Sequence, residues 1–305
     1  MNILIYDLPE KEVAYIKANC NSNVENGEVV LYEWRDTGMN SVQEEGKRFA
    51  EKKKLTDIVI SGNPTILKQA VDAGITAIAY QNREAGVKKD DVWKEESGAT
   101  IIEKETLPQV DIIVEGFEEV DFDFLERIWQ RHHHIPWTIL ETERLVVREL
   151  TLDDMDGLFE LYSYEGMTDY MESLYPYEEE YAYQKAYIEG MYGFFGYGMW
   201  LVFEKESGKL IGRAGVEHRE ALDGELELGY AIGTPWQGRG FATEVCQGIL
   251  KYVQEELYFD EVVSLVEPAN KASVHLLEKL GFYLEMELDL DNIRYKKYKK
   301  CFKPL

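Results

Sequence analysis

Cysteine is scarce in this chain: three among 305 residues, at Cys20, Cys246 and Cys301. So odd and scattered a set suits a reducing, cytoplasmic compartment better than a disulfide framework. Long apolar runs are missing as well. The longest fall far short of the roughly 20 residues that cross a bilayer. The opening Met1-Asn2-Ile3-Leu4-Ile5-Tyr6-Asp7 has no basic stretch ahead of its short apolar run. Neither a membrane span nor a signal peptide is therefore expected. Positive charge is the third shortage, with 33 Lys and Arg against 58 Asp and Glu and a formal charge of −25. Nucleic-acid affinity rests on neutralising phosphates with Lys and Arg, so nucleic acid is excluded as a partner. Anionic membrane surfaces are disfavoured for the same reason. A cationic acceptor would be attracted, although such acidity also serves solubility alone.

What is present suits a folded protein of two domains. The apolar fraction of 45% is ordinary, and 305 residues can bury sizeable cores. In the first 135 residues, apolar strands alternate with helices. Strands are expected at Met1 to Tyr6, Glu28 to Trp34, 57–61, 74–80 and 109–114. Helices are expected at Pro9 to Ala18, Ser41 to Lys54, Ile66 to Ala73 and Phe122 to Arg131. This alternation points to a parallel sheet. Arg131-His132-His133-His134-Ile135-Pro136-Trp137 marks the boundary, because Pro136 drives its predecessor out of the helical region. Adjacent histidines do not share a helix face and lack Cys or Glu-x-x-His company, so structural or solvated roles are expected, and no metal.

The most informative stretch lies further on. Glu225-Leu226-Glu227-Leu228-Gly229-Tyr230-Ala231-Ile232 alternates like a strand, and Trp236-Gln237-Gly238-Arg239-Gly240-Phe241-Ala242-Thr243 follows it. A helical period then runs from about Phe241 to Leu257, with Val245, Ile249, Leu250 and Val253 on one face. A strand that enters a helix through a glycine-rich turn can hold phosphate, since the first helical N–H groups lack internal partners at the positive end of the dipole. No Lys-Ser or Lys-Thr closes the turn, so it is not a P-loop. Nor does it have Gly-x-Gly-x-x-Gly spacing, so it is not a dinucleotide fingerprint.

Gln237 to Ala242, a Gln-x-x-Gly-x-Ala pattern, resembles the pyrophosphate-binding signature of the GNAT superfamily of acyl-CoA-dependent N-acyltransferases. Two further segments extend the resemblance. Asn270-Lys271-Ala272-Ser273, leading to Leu280-Gly281-Phe282, is similar to the second motif of the ribosomal-protein N-terminal acetyltransferase branch. Leu140-Glu141-Thr142-Glu143-Arg144-Leu145 and then Val147-Arg148, with Leu152-Asp153-Asp154 after them, resemble that branch's first strand and helix. The resemblance covers about 138–300. The N-terminal half resembles a stripped-down haloacid-dehalogenase domain. It lacks that family's Asp-x-Asp pair, because Asp7 is followed by Leu8 and Pro9. A lone acid cannot both attack a phosphoryl group and shuttle the proton. Phosphatase chemistry is not expected there; a scaffold, interface or acceptor-recognition role is.

The expected fold is thus α/β: an N-terminal parallel-sheet Rossmannoid domain over 1–135 and a C-terminal mixed-sheet α+β domain of the GNAT kind over 138–305. The resemblance implies acetyl-CoA as co-substrate, with no metal, and an amine acceptor, either a peptide N-terminus or a small cationic amine such as a polyamine or aminoglycoside. It places the pyrophosphate on Gln237, Gly238, Arg239, Gly240, Phe241, Ala242 and Thr243, and the acetyl carbonyl on the main-chain N–H near Ile232. It also draws Asn270 and Ser273 towards the cofactor. For the base, strand alternation puts Glu225, Glu227 and Gly229 on one face and Leu226, Leu228 and Tyr230 on the other. Glu227 is the first choice and Glu217 the second. The leaving thiolate would look to Ser273, because Leu277 stands where many relatives carry a tyrosine. Between about 164 and 197 lies a tyrosine- and glutamate-rich wall. Its Tyr183, Tyr187 and Met191 are expected to be core by their helical spacing. An alternative to catalysis is a regulatory module that binds acetyl-CoA without turning it over.

Overall fold

Short runs of β-branched and aliphatic residues make the strands of residues 1–135, and the computed structural model describes residues 2–21, 30–34, 57–81, 108–222 and 224–302 of the chain. Strands β1 (Asn2–Tyr6), β2 (Val30–Trp34), β3 (Asp57–Ser61), β4 (Thr76–Tyr80) and β5 (Ile112–Val114) alternate with helices α1 (Glu10–Asn21), α2 (Pro64–Asp72) and α3 (Phe122–His132). All pairings are parallel, in the order β2-β1-β3-β4-β5. Ile3, Ile5, Ile58, Ile60 and Ile78 pack with Val13 and Ile16 of α1 and Leu125 and Ile128 of α3. Leu4, Tyr6, Val59, Ala77 and Ala79 pack with Ile66, Leu67 and Ala70 of α2. Cover on both faces is why these strands read as continuous apolar runs. The helix expected over 41–54 lies outside the described residues.

One expectation changes here. The strand expected from Gln109 begins only at Ile112. Asp111 takes the Ala77 N–H with its carboxylate at 2.7 Å, so a side chain stands at the start of the ladder. The three histidines diverge into separate roles. His132 Nδ1 stands 2.8 Å from Asp111 Oδ1, and that hydrogen bond raises its pKa against the effect of burial. His133 Nδ1 meets the Trp129 carbonyl at 2.8 Å, and His134 turns left-handed at φ 56° beyond the helix end.

The chain's contacts divide it between Ile135 and Pro136. The second unit is built on an eight-stranded sheet: β6 (Thr138–Glu141), β7 (Leu145–Arg148), β8 (Met199–Glu204), β9 (Leu210–Arg219), β10 (Glu225–Ile232), β11 (Glu261–Val266), β12 (Tyr283–Leu290) and β13 (Ile293–Cys301). The order is β12-β13-β11-β10-β9-β8-β7-β6, antiparallel throughout except for the parallel pair β10–β11. Four helices accompany it: α4 (Met155–Ser163), α5 (Tyr177–Tyr187), α6 (Phe241–Glu255) and α7 (Lys271–Lys279). Helix α6 buries Val245, Cys246, Ile249, Leu250 and Val253, the stripe its sequence announces, and makes the crossover between the parallel strands.

Helix α5 corrects the reading of the tyrosine wall. Its buried face is polar: Glu180 and Gln184 are bonded to each other at 2.6 Å, and Glu180 also accepts from the Tyr175 N–H. Tyr183 is 49% exposed rather than core, whereas Tyr187 and Met191 pack against the core as expected, Met191 from a π-helical turn, Ile188–Phe195, that Gly196 ends in the left-handed region. No helix among the described residues is long and apolar enough to cross a membrane.

Candidate active site

The parallel pair at the centre of the second sheet does not stay together. Strands β10 and β11 share one register pair, Glu227 with Val263. Beyond it each strand continues, β10 to Ile232 and β11 to Val266, without pairing to the other. Just past this point the Ser264 hydroxyl donates to the Leu228 carbonyl at 2.9 Å. Gly233 donates to Ile211 on the β9 side. Strand alternation therefore turns the N–H groups of Tyr230 and Ile232 to the opposite edge, where β11 has left them. A row of main-chain donors facing a wedge-shaped gap can receive an extended ligand or an oxyanion.

Glu227 sits at the vertex of this gap. Its residue is 9% exposed, Oε2 takes Arg219 Nη1 at 2.9 Å, and Oε1 takes the Leu265 N–H at 3.3 Å. Burial pushes the carboxyl above the ordinary glutamate range, while Arg219 and the Leu265 N–H pull the other way. Glu217 is its direct cross-strand partner and accepts from the Tyr187 hydroxyl at 2.9 Å. Tyr187 in turn accepts from the Met199 N–H at 2.7 Å, which locks its ring in place. The two glutamates proposed from sequence are thus brought together. Glu227 is held by an ion pair rather than solvated.

The loop after β10 is fixed from within. Gln237 Nε2 donates back to the Ile232 carbonyl at 2.9 Å, so its side chain braces the turn. Gly238 and Gly240 adopt φ of +73° and +85°, angles that glycine reaches without strain. Arg239 bridges to Glu204 at 2.8 Å and lies over the Phe241 ring, which is itself core. Phe241 can therefore offer a ligand only its main chain. Arg144 clamps the other side, bonding Glu244 and the Arg239 carbonyl. No side chain caps the start of α6 at Gly240. Ala242 and Thr243 follow in the first turn, half-buried. An uncapped helix start on a glycine turn leaves its N–H groups for an anion.

Across the gap, Asn270 Oδ1 accepts from the Ser273 N–H at 3.1 Å, so Asn270 is the N-cap of α7 and its oxygen is already engaged. Ser273 is half-buried, and its carbonyl accepts from the Tyr230 hydroxyl at 3.3 Å. Leu277 is fully buried core. The Tyr230 bridge and the Arg144 clamp were not foreseen, since both depend on which elements the fold makes adjacent.

The Acetyltransferase (GNAT) domain family matches residues 144–283, all within the second unit. The uncharacterized N-acetyltransferase p20 of Bacillus licheniformis is 30% identical over 153 residues, covering 48% of this chain and 83% of that protein. The [ribosomal protein uS5]-alanine N-acetyltransferase of Escherichia coli (strain K12) is 38% identical over 58 residues, covering 19% of this chain and 30% of that protein. Among solved structures, a putative GnaT-family acetyltransferase from Bordetella pertussis is similar at 24% identity and a TM-score of 0.47, covering 53% of this chain and 98% of its own. With the split sheet and the uncapped helix already in place, the family match and the Bacillus licheniformis relative identify the chain as a member of the GNAT acetyltransferase family, and so as an acyltransferase.

Proposed function

We propose that residues 138–305 transfer an acetyl group from acetyl-CoA to a primary amine, a peptide N-terminus or a small amine, by direct attack on the thioester. The observation that carries this reading is the gap between β10 and β11, with main-chain donors along one edge and a buried carboxylate at its vertex. The N–H groups of the glycine turn and of the first turn of α6, from Gly238 to Thr243, would receive the pyrophosphate. The Ile232 N–H would stabilise the carbonyl oxygen as it gains charge. Glu227 serves as the base, with Glu217 next in line. Burial raises its pKa above the ordinary glutamate range, which makes it a stronger base towards the ammonium proton. The Ser273 hydroxyl lies on the α7 side, where it would hydrogen-bond the departing thiolate. Residues 1–135 act as a scaffold or recognition element without phosphoryl chemistry. The free Cys20, Cys246 and Cys301 suit a reducing cytoplasm.

The test is thiol release from acetyl-CoA with a panel of amines. Amine-dependent release is expected. Release no faster than background hydrolysis, from a protein that binds acetyl-CoA, would instead favour a binding module.

A further inference from the structure

The second unit contains six arginines. Five have carboxylate partners: Arg144 with Glu244, Arg148 with Asp154, Arg219 with Glu227, Arg239 with Glu204, and Arg294 with Glu287 and Asp289. The sixth, Arg213, has no ion-pair partner among the described residues. Its one hydrogen bond there runs from Nη1 to the Tyr162 hydroxyl at 3.2 Å, and its Nε is buried with no partner at all. Among the arginines of this unit, a guanidinium without a carboxylate is the exception. Burying a charge without a counter-charge is costly, so such a group calls for an explanation.

Its position supplies one. Arg213 lies on β9 directly opposite Ala231, the residue before Ile232. It is on the same sheet face as Glu217 and Glu227, which form a single pair four positions along the ladder. Tyr162 places the guanidinium beneath the end of α4, and the half-exposed Tyr183 hydroxyl lies within electrostatic reach of both Glu217 and Arg213. The face beside the gap therefore carries a carboxylate pair at one end and an unneutralised guanidinium at the other. That spacing complements a molecule with a cation and an anion a few bonds apart.

We propose that Arg213 receives a carboxylate of the acceptor, so that the amine acetylated here belongs to a small zwitterion of the amino-acid class. The inference rests on the transferase reading and narrows its acceptor. A polyamine would bring a second positive charge to Arg213, and a peptide N-terminus would bring a neutral amide there. In the reaction, the amine nitrogen bonds to the thioester carbon as the carbon–sulfur bond breaks. One ammonium proton passes to Glu227 before attack, and the second leaves the nitrogen as the amide forms and reaches the thiolate through solvent. The product keeps its carboxylate and loses its positive charge, so it remains a ligand for Arg213.

The experiment compares each of the twenty common α-amino acids with its α-carboxamide, and with spermidine, by thiol release from acetyl-CoA on the full chain. The best acceptor should be an acid, with kcat/KM about 10- to 100-fold above that of its carboxamide, the range of a hydrogen bond to a charged group. In Arg213→Gln that ratio should fall to about one while acetyl-CoA affinity by calorimetry stays at the wild-type value. Arg213→Lys, which keeps the charge, should retain part of the preference. A purely structural arginine would slow acids and carboxamides alike and leave their ratio intact. As a reading independent of turnover, the N-acetyl derivative of the best acid should bind the wild type and not Arg213→Gln. Carboxamides or spermidine used as well as the acids, or an unchanged ratio in both variants, would overturn the carboxylate assignment and leave the transferase reading standing. No thiol release with any amine would overturn both.

Discussion

Each unit of this chain has a strand that ends in a turn and hands over to a helix, and the two turns are finished differently. In the first unit, β3 ends at Ser61 and α2 starts at Pro64. Asn63 Oδ1 accepts from the Thr65 and Ile66 N–H groups, and Ser61 Oγ accepts from the Asn63 N–H. Leu8, beyond the neighbouring strand β1, is buried. The donors that could have met an anion are already met by the protein. In the second unit, β10 ends at Ile232 and α6 starts at Phe241 on a left-handed glycine with no side-chain cap. The same topology gives a closed corner in one case and an open donor array in the other. A helix start becomes a site only where the sequence declines to cap it.

Four variants probe that contrast, beginning with the largest effect. Glu227→Gln keeps the shape of the vertex and removes the base, so kcat should fall by roughly 10²–10⁴ with acetyl-CoA affinity little changed. The sign of its pH dependence follows from burial. A carboxyl raised above the ordinary glutamate range is protonated first as pH falls, so wild-type activity should drop on an acid limb lying above that range. The variant should lose this limb and gain rate towards alkaline pH, where free amine forms unaided. A wild-type profile in Glu227→Gln would transfer the role to Glu217.

Gly240→Asp places a carboxylate where the diphosphate would sit, on a residue type that tolerates the left-handed region better than most. Acetyl-CoA affinity by calorimetry should fall on the order of 10²-fold, with the fold retained by circular dichroism. Asn63→Ala is the counterpart in the first unit. It removes a filled cap and should cost about 1 kcal/mol of stability in denaturant titration, without touching acetyl-CoA binding. Smallest of all is Asp7→Asn. Because Leu8 and Pro9 follow Asp7 where a second acid would complete the motif, the wild type should hydrolyse no phosphate esters with magnesium, and the variant should match it. Magnesium-dependent turnover lost in Asp7→Asn would mean that the first unit is an active site after all.

Much of the second unit was legible in the sequence because its periodicities were strong. The buried stripe of α6 and the alternation that sets Glu227 apart from Leu226 and Leu228 both follow from spacing alone. The ion pair of Glu227 was not legible, because Arg219 reaches it only through the antiparallel register of β9 and β10. The face of α5 was misread for a related reason. Tyr187 packs against the core as its spacing predicts, but Tyr183 does not, because the helix turns Glu180 and Gln184 inward, where Gln184 Nε2 donates to Glu180. Arg213 could not be singled out at all, since lacking a partner is a property of the packed structure and not of any motif.

The account turns on the gap between β10 and β11 together with the start of α6, and amide hydrogen exchange reads both directly. At saturating acetyl-CoA, exchange in the full chain should slow chiefly in peptides that cover 230–232 and 238–243, and not in 57–81 of the first unit. Unchanged exchange across 230–243, with protection appearing elsewhere, would contradict the account.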